Sequence, residues 1–154
     1  MIRRASCTVL AVVCLLAMGA RAAHAQAIGF QVGAALDPSQ WYAGTHADVP
    51  LAANISLRPS IEGASGAGVS EALIDVSFMY SFPLGPLSAW SIYQGTGPVI
   101  VLERIDGEIH PHGGFSGVVG VEHHSGFFFE FKLSGGGGPN LRMGVGYTLR
   151  HKTP

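Results

Sequence analysis

The chain of 154 residues has only two cysteines, Cys7 and Cys14, and both fall within its first 25 residues. Past Gln26 there is no thiol, which excludes the disulfide staples that small exported domains commonly rely on. Charge is scarce as well, at 12% of residues against roughly a quarter in an ordinary soluble protein. Lysine is scarcer still: Lys132 and Lys152 are the whole supply. A water-facing exterior would normally carry many Lys and Glu, and without a basic patch there is no surface for nucleic acid. Long apolar runs are missing too. After Gln26 none approaches the roughly 20 residues a spanning helix needs, and no 3.6-residue periodicity stands out. Hydrophobic residues nonetheless make up 47% of the chain. Such greasiness without helices points to strands.

The first 25 residues read as a secretory signal. Arg3 and Arg4 give a basic start, residues 8–17 (TVLAVVCLLA) a short apolar core, and Ala23-His24-Ala25 an A-x-A cleavage site. The expected mature chain, 26–154, is one domain. It keeps six basic side chains against 10 acidic ones, a net charge of −4.

What is present after the signal is alternation. Eight strand-like segments stand at 27–36, 40–49, 54–62, 71–82, 88–102, 114–123, 127–134 and 140–150. Turn chemistry separates them: Asp37-Pro38-Ser39, Pro50, the GASGAG run at 63–68, PLGP at 83–86, RIDGEIHPHGG at 104–114, Ser125-Gly126, and GGGGPN at 135–140. Within most segments apolar residues hold one phase and polar or small residues the other. Ile74, Val76, Phe78, Tyr80 and Phe82 oppose Asp75, Ser77, Met79 and Ser81, and Leu141, Met143, Val145, Tyr147 and Leu149 oppose Arg142, Gly144, Gly146, Thr148 and Arg150. The fifth segment is less regular, because residues 99–102 are continuously apolar. The predicted class is all-β, an antiparallel up-and-down transmembrane β-barrel of about eight strands.

Alternation alone does not say which face is outside, since a soluble barrel binding an apolar ligand has the same period with the greasy face inward. Three details favour a lipid-facing exterior. The polar phase is mostly Gly, Ser and Ala, which suits a crowded narrow lumen. Its charges have both signs, so Asp48, Arg58, Glu62, Asp75, Glu122, Glu130, Lys132 and Arg142 form a candidate lumen network, and buried charges need such pairing. Finally, Phe30, Tyr80, Phe82, Trp90, Phe127 and Tyr147 all sit toward one end of their strands, as an interfacial aromatic girdle does. With the first strand starting in the periplasm, residues 63–70 and 104–114 are expected as outer loops, and 50–53, 83–87 and 124–126 as periplasmic turns.

With these features in place, the chain resembles the small eight-stranded outer-membrane barrels of Gram-negative bacteria, the OmpA/OmpX-like barrel domain, over essentially all of 26–150. The likeness is strongest in Gly113, Gly120-Val121-Glu122, Phe128-Phe129-Glu130 and the last strand. There Arg142, Gly144, Tyr147 and Leu149 match the pattern of an assembly signal read by barrel-assembly machinery. Family members often end on a terminal Phe, whereas this chain runs on through 150–154 (RHKTP). The resemblance implies a monomer in outer-membrane lipid, exported by the general secretory pathway, with a structural or surface-interaction role. The alternatives are a secreted lipocalin-like barrel and a lipid-modifying barrel enzyme.

Two clusters invite chemistry. His123-His124-Ser125 with Glu130 has the spacing of an H-x-S pair, but it falls at a turn while Glu130 belongs to the lumen phase, so it reads as a polar turn. His110-Pro111-His112, near Asp106 and Glu108, offers too few converging ligands for a metal. No catalytic, metal or cofactor site is expected, and a lumen of eight strands is just wide enough for side chains to fill it. The face assignment has a direct check. Val145→Arg should impair membrane insertion by about 2–4 kcal/mol near the midplane, and Thr148→Arg should be milder. Equal tolerance at both sites in a membrane-folding titration would contradict it.

Overall fold

The computed structural model describes residues 27–105, 107–136 and 139–150. The expected signal segment 1–25 and the tail after Arg150 lie outside the described residues. Eight strands follow in order: β1 (Ala27–Leu36), β2 (Gln40–Ala52), β3 (Ile55–Gly66), β4 (Val69–Pro83), β5 (Trp90–Ile105), β6 (Glu108–His123), β7 (Phe127–Gly135) and β8 (Leu141–Arg150). Each pairs antiparallel with the next, and β8 returns to β1 to close the barrel. The closing ladder runs from Ala27↔Arg150 to Leu36↔Leu141. The fold is that of an up-and-down transmembrane barrel. Among the described residues no helix is long and apolar enough to cross a membrane.

The apolar phase faces out, as the alternation predicts. Trp41 is 78% exposed and Phe115 72%, and Val32, Ile61, Phe78 and Val145 are exposed with them. Phe127, Tyr147 and Phe30 are successive cross-strand partners on β7, β8 and β1, and they form one arc of the aromatic girdle at the end carrying both termini. A strand of 10 residues such as β1, tilted as barrel strands are, rises about 25 Å, the height of an outer-membrane apolar band.

Several connectors are shorter than their composition predicts. Residues 63–70 are not a loop: β3 and β4 stay paired to Gly66↔Val69, and only Ala67 and Gly68 turn, both at positive φ (51° and 82°). Residues 104–114 are not a loop either. They complete a hairpin in which β5 and β6 pair out to Ile105↔Glu108. The continuously apolar 99–102 run is the reason, because it gives the Gly- and His-rich strand opposite a firm ladder partner, and tertiary pairing overrides weak local propensity. Pro50 does not end β2, which continues to Ala52 across a register irregularity between Pro50 and Ala52, where a proline is tolerated. The expected tight turn at 83–87 is instead a connector over 84–89. The far end therefore projects through long strands rather than loops: β5 and β6 have 16 residues each against 9 in β7. Residues 108–114 of β6 pair with β5 on one side and, among the described residues, have no ladder partner on the other, since the β6–β7 register begins at Phe115↔Gly135.

Inside, large side chains are accommodated by glycines placed directly opposite them. Tyr42 faces Gly33, His46 faces Gly29, Tyr93 faces Gly120 and Phe128 faces Gly146. A Cβ on Gly120 would collide with the Tyr93 ring, and one on Gly144 with the Tyr42 hydroxyl. Gly117 points outward, where a Cβ would meet nothing. Gly120→Val should therefore abolish the mobility difference between boiled and unboiled samples on a gel, which reports a closed barrel, while Gly117→Val should retain it. A folded Gly120→Val barrel would contradict this packing.

Candidate functional site: the charged lumen

Six charged side chains from four strands meet inside the barrel. On β2 and β3, Arg58 donates through Nε and Nη2 to the two carboxylate oxygens of Asp48, at 2.7 and 3.1 Å. Arg58 Nη1 also lies 3.6 Å from Glu130 on β7, and its guanidinium sits 4.9 Å over the Tyr93 ring. Glu130 is fully buried. It accepts from the Tyr93 hydroxyl at 2.9 Å and faces Lys132 Nζ at 3.2 Å. Lys132 and Arg142 both donate to Glu62, which also accepts from Gln31 Nε2 at 2.7 Å. Arg142 reaches Ser134 Oγ at 2.6 Å as well. The cluster holds three carboxylates and three cations, so it is neutral as a unit. That balance is what the interior demands, because an unpaired buried charge is strongly unfavourable.

Two residues expected in this network stand apart from it. Among the described residues Asp75 has no cationic partner; it accepts from Ser77 Oγ at 2.7 Å and from Ser116. Serines on the adjoining inward positions of β4 and β6 take the place of a cation there. Glu122 pairs with Arg150 at 2.8 Å, at the end of the barrel that carries the termini, where Arg150 is half exposed. The network proper is Asp48, Arg58, Glu130, Lys132, Glu62 and Arg142. Sequence reasoning missed Tyr93 and Gln31 as its hydrogen-bond donors, although both lie on the inward phase of their strands.

The assembly-signal residues divide between the faces. Arg142 and Gly144 point inward, one held by Glu62 and the other leaving room for Tyr42. Tyr147 and Leu149 point outward and are exposed. The two apparent chemical clusters also resolve. His123 Nδ1 lies 2.8 Å from Ser125 Oγ and accepts from the Ser125 backbone N–H at 3.3 Å, a local turn interaction. Its ring packs edge-on against Trp90 at 4.9 Å. Glu130 does not join them, being committed to Tyr93, Lys132 and Arg58 in the lumen. His110 and His112 lie on β6 rather than in a loop, and His112 Nε2 is 3.3 Å from Glu103. Among the described residues no three metal-ligating side chains converge.

Above the network, on the β4–β5 wall, Leu73, Val99 and Val101 form a buried apolar patch with Tyr42 and Ala64. Beyond this patch the inward phase turns acidic again, with Glu71 directly opposite Glu103. Gln40 Nε2 donates to Glu71 Oε1 at 3.1 Å. The sequence reading did not single out this mouth: Gln40 and Glu71 open their expected strand segments, and Glu103 falls just past the end of the fifth.

No protein-family model matches the chain, and no curated protein matches it. Among solved structures, the crystal structure of Neisserial surface protein A aligns over 81% of this chain and 95% of that one, with a TM-score of 0.62 and 11% sequence identity. At that identity the likeness is one of fold.

Glu62→Ala would leave Lys132 and Arg142 facing each other without their shared carboxylate. It should cost about 3–5 kcal/mol in urea unfolding from detergent micelles, with most of the loss restored when Lys132→Met and Arg142→Met are added. Glu122→Ala, whose partner is half exposed, should cost at most about 1 kcal/mol.

Proposed function

We propose that the protein is a monomeric outer-membrane β-barrel, exported through the general secretory pathway, with a structural or surface-interaction role and a lumen plugged by its own side chains. The observation that carries this reading is the inverted arrangement of the barrel. Phe30, Val32, Trp41, Phe78 and Phe115 are exposed on its outside, while Glu62, Glu130, Lys132 and Arg142 are buried within. In water that arrangement is unfavourable twice over, exposing apolar surface and burying charge. In a bilayer the exterior meets lipid and the closed ladder leaves no strand edge unpaired within the apolar band.

The fold likeness to Neisserial surface protein A, which carries the name of a surface protein, supports the same placement. A soluble carrier of apolar ligands needs the opposite facing, with an apolar cavity inside. A lipid-modifying enzyme has no support from the His123–Ser125 pair, whose acidic partner is committed elsewhere. The plug reading rests on the interlocked network and on the glycine-opposed packing of Tyr42, His46, Tyr93 and Phe128. Barrel-assembly machinery is the proposed partner for insertion, through Arg142, Gly144, Tyr147 and Leu149.

The full chain expressed in a Gram-negative host should partition with the sarkosyl-insoluble outer-membrane fraction and shift on boiling. Reconstituted in planar bilayers, it should show no steady conductance. Recovery as a detergent-free soluble protein would overturn the membrane placement, and regular single-channel steps would overturn the plug.

A further inference from the structure

The acidic mouth is built for a ligand of a particular kind. Glu71 on β4 and Glu103 on β5 are direct cross-strand partners on the inward phase, and like charges so placed repel. A barrel interior normally resolves such a pair with a cation, yet the fixed cations are occupied elsewhere. Arg58, Lys132 and Arg142 belong to the network below, Arg150 pairs with Glu122 at the opposite end, and Arg104 lies on the outward phase of β5. Among the described residues no Lys or Arg remains to face the mouth. His112 approaches Glu103 at 3.3 Å but is only conditionally charged.

A second observation is independent of the acidic pair. Gln40 and Glu71 are 3% and 6% exposed, and after their mutual hydrogen bond each retains one oxygen, Gln40 Oε1 and Glu71 Oε2, that is buried without a partner. Both belong to the inward phase at the mouth, so two buried acceptors accompany the carboxylate of Glu103. Buried acceptors of this kind ordinarily have donors.

We infer that the mouth of the barrel, formed by Gln40, Glu71 and Glu103, binds a primary ammonium group. Three acceptors match the three donors of –NH3+, and its positive charge lies against two carboxylates that repel each other. The set is too sparse in converging ligands for a metal ion. This gives the surface-interaction role proposed above a chemical class of partner, an amine-bearing molecule such as a polyamine or a lysine side chain. The inference depends on that reading only in requiring that the mouth be open to water.

The test uses the full folded chain in non-ionic micelles, titrated with n-butylammonium and followed by amide chemical shifts. Saturable shifts at Gln40, Glu71 and Glu103 are expected in the millimolar range, with tetramethylammonium, which has no N–H donor, producing none. Glu71→Gln and, as a second variant, Glu103→Gln should each weaken binding about tenfold, whereas Glu122→Gln at the opposite end should leave it unchanged. The boiling shift confirms that each variant is folded. Absence of saturable shifts, equal binding of tetramethylammonium, or saturation by magnesium alone would overturn the inference. Failure of outer-membrane fractionation with binding intact would sink the localisation and leave the ammonium site standing.

Discussion

The structure depends on the ladder between β1 and β8. Ten consecutive pairings join the first strand to the last, and they turn a sheet into a tube. A sheet left open would present two rows of unpaired amide and carbonyl groups, which hydrocarbon does not tolerate. Closure with only eight strands also fixes how little room lies inside. Every inward side chain then competes for that space, and the opposed pairs of glycine with Tyr42, His46, Tyr93 and Phe128 are the solution. The same narrowness forces the charges together. Six of them, balanced in sign, link into one chain.

The outside and the inside of the barrel were legible in the sequence to different degrees. Two-residue alternation on 71–82 and 141–150 assigned nearly every side chain to a face, and those assignments agree with the exposure of Ile74, Phe78, Val145 and Tyr147. Most members of the charge network were legible for the same reason, since phase alone puts Glu62, Glu130, Lys132 and Arg142 inside. Which charges touch was not legible. Pairing depends on strand register and on the stagger around the barrel, and neither is written locally. Asp75 shows the difference: it lies on the correct face, yet serines surround it.

Strand ends were the least legible part. Composition made 63–68 and 104–114 look like loops, because Gly, His and Pro are weak strand formers. The structure pairs both stretches: residues 63–66 with the start of β4, and 108–114 with a β5 segment in which Val99, Ile100, Val101 and Leu102 offer a firm partner. The inward phase continues upward through Glu71 and Glu103, and an acidic rim is part of the same alternating pattern that built the plug. The apolar patch of Leu73, Val99 and Val101 marks the change between two regions of opposite electrostatic character. Below it charges are neutralised internally, and above it they are not.

The projecting β5–β6 hairpin has one further consequence. Among the described residues, 108–114 is bonded on one side only, so it forms an open edge at the far rim. Such an edge is a template onto which a foreign strand could add, and exposed Ile109 would favour that. Pro111 sits in the middle of it and has no amide hydrogen to offer, while Glu108 places a charge at its tip. Proline and charge are the usual means by which natural sheets discourage edge-to-edge stacking. The His-Pro-His stretch thus carries the features that make such an edge a poor template for pairing.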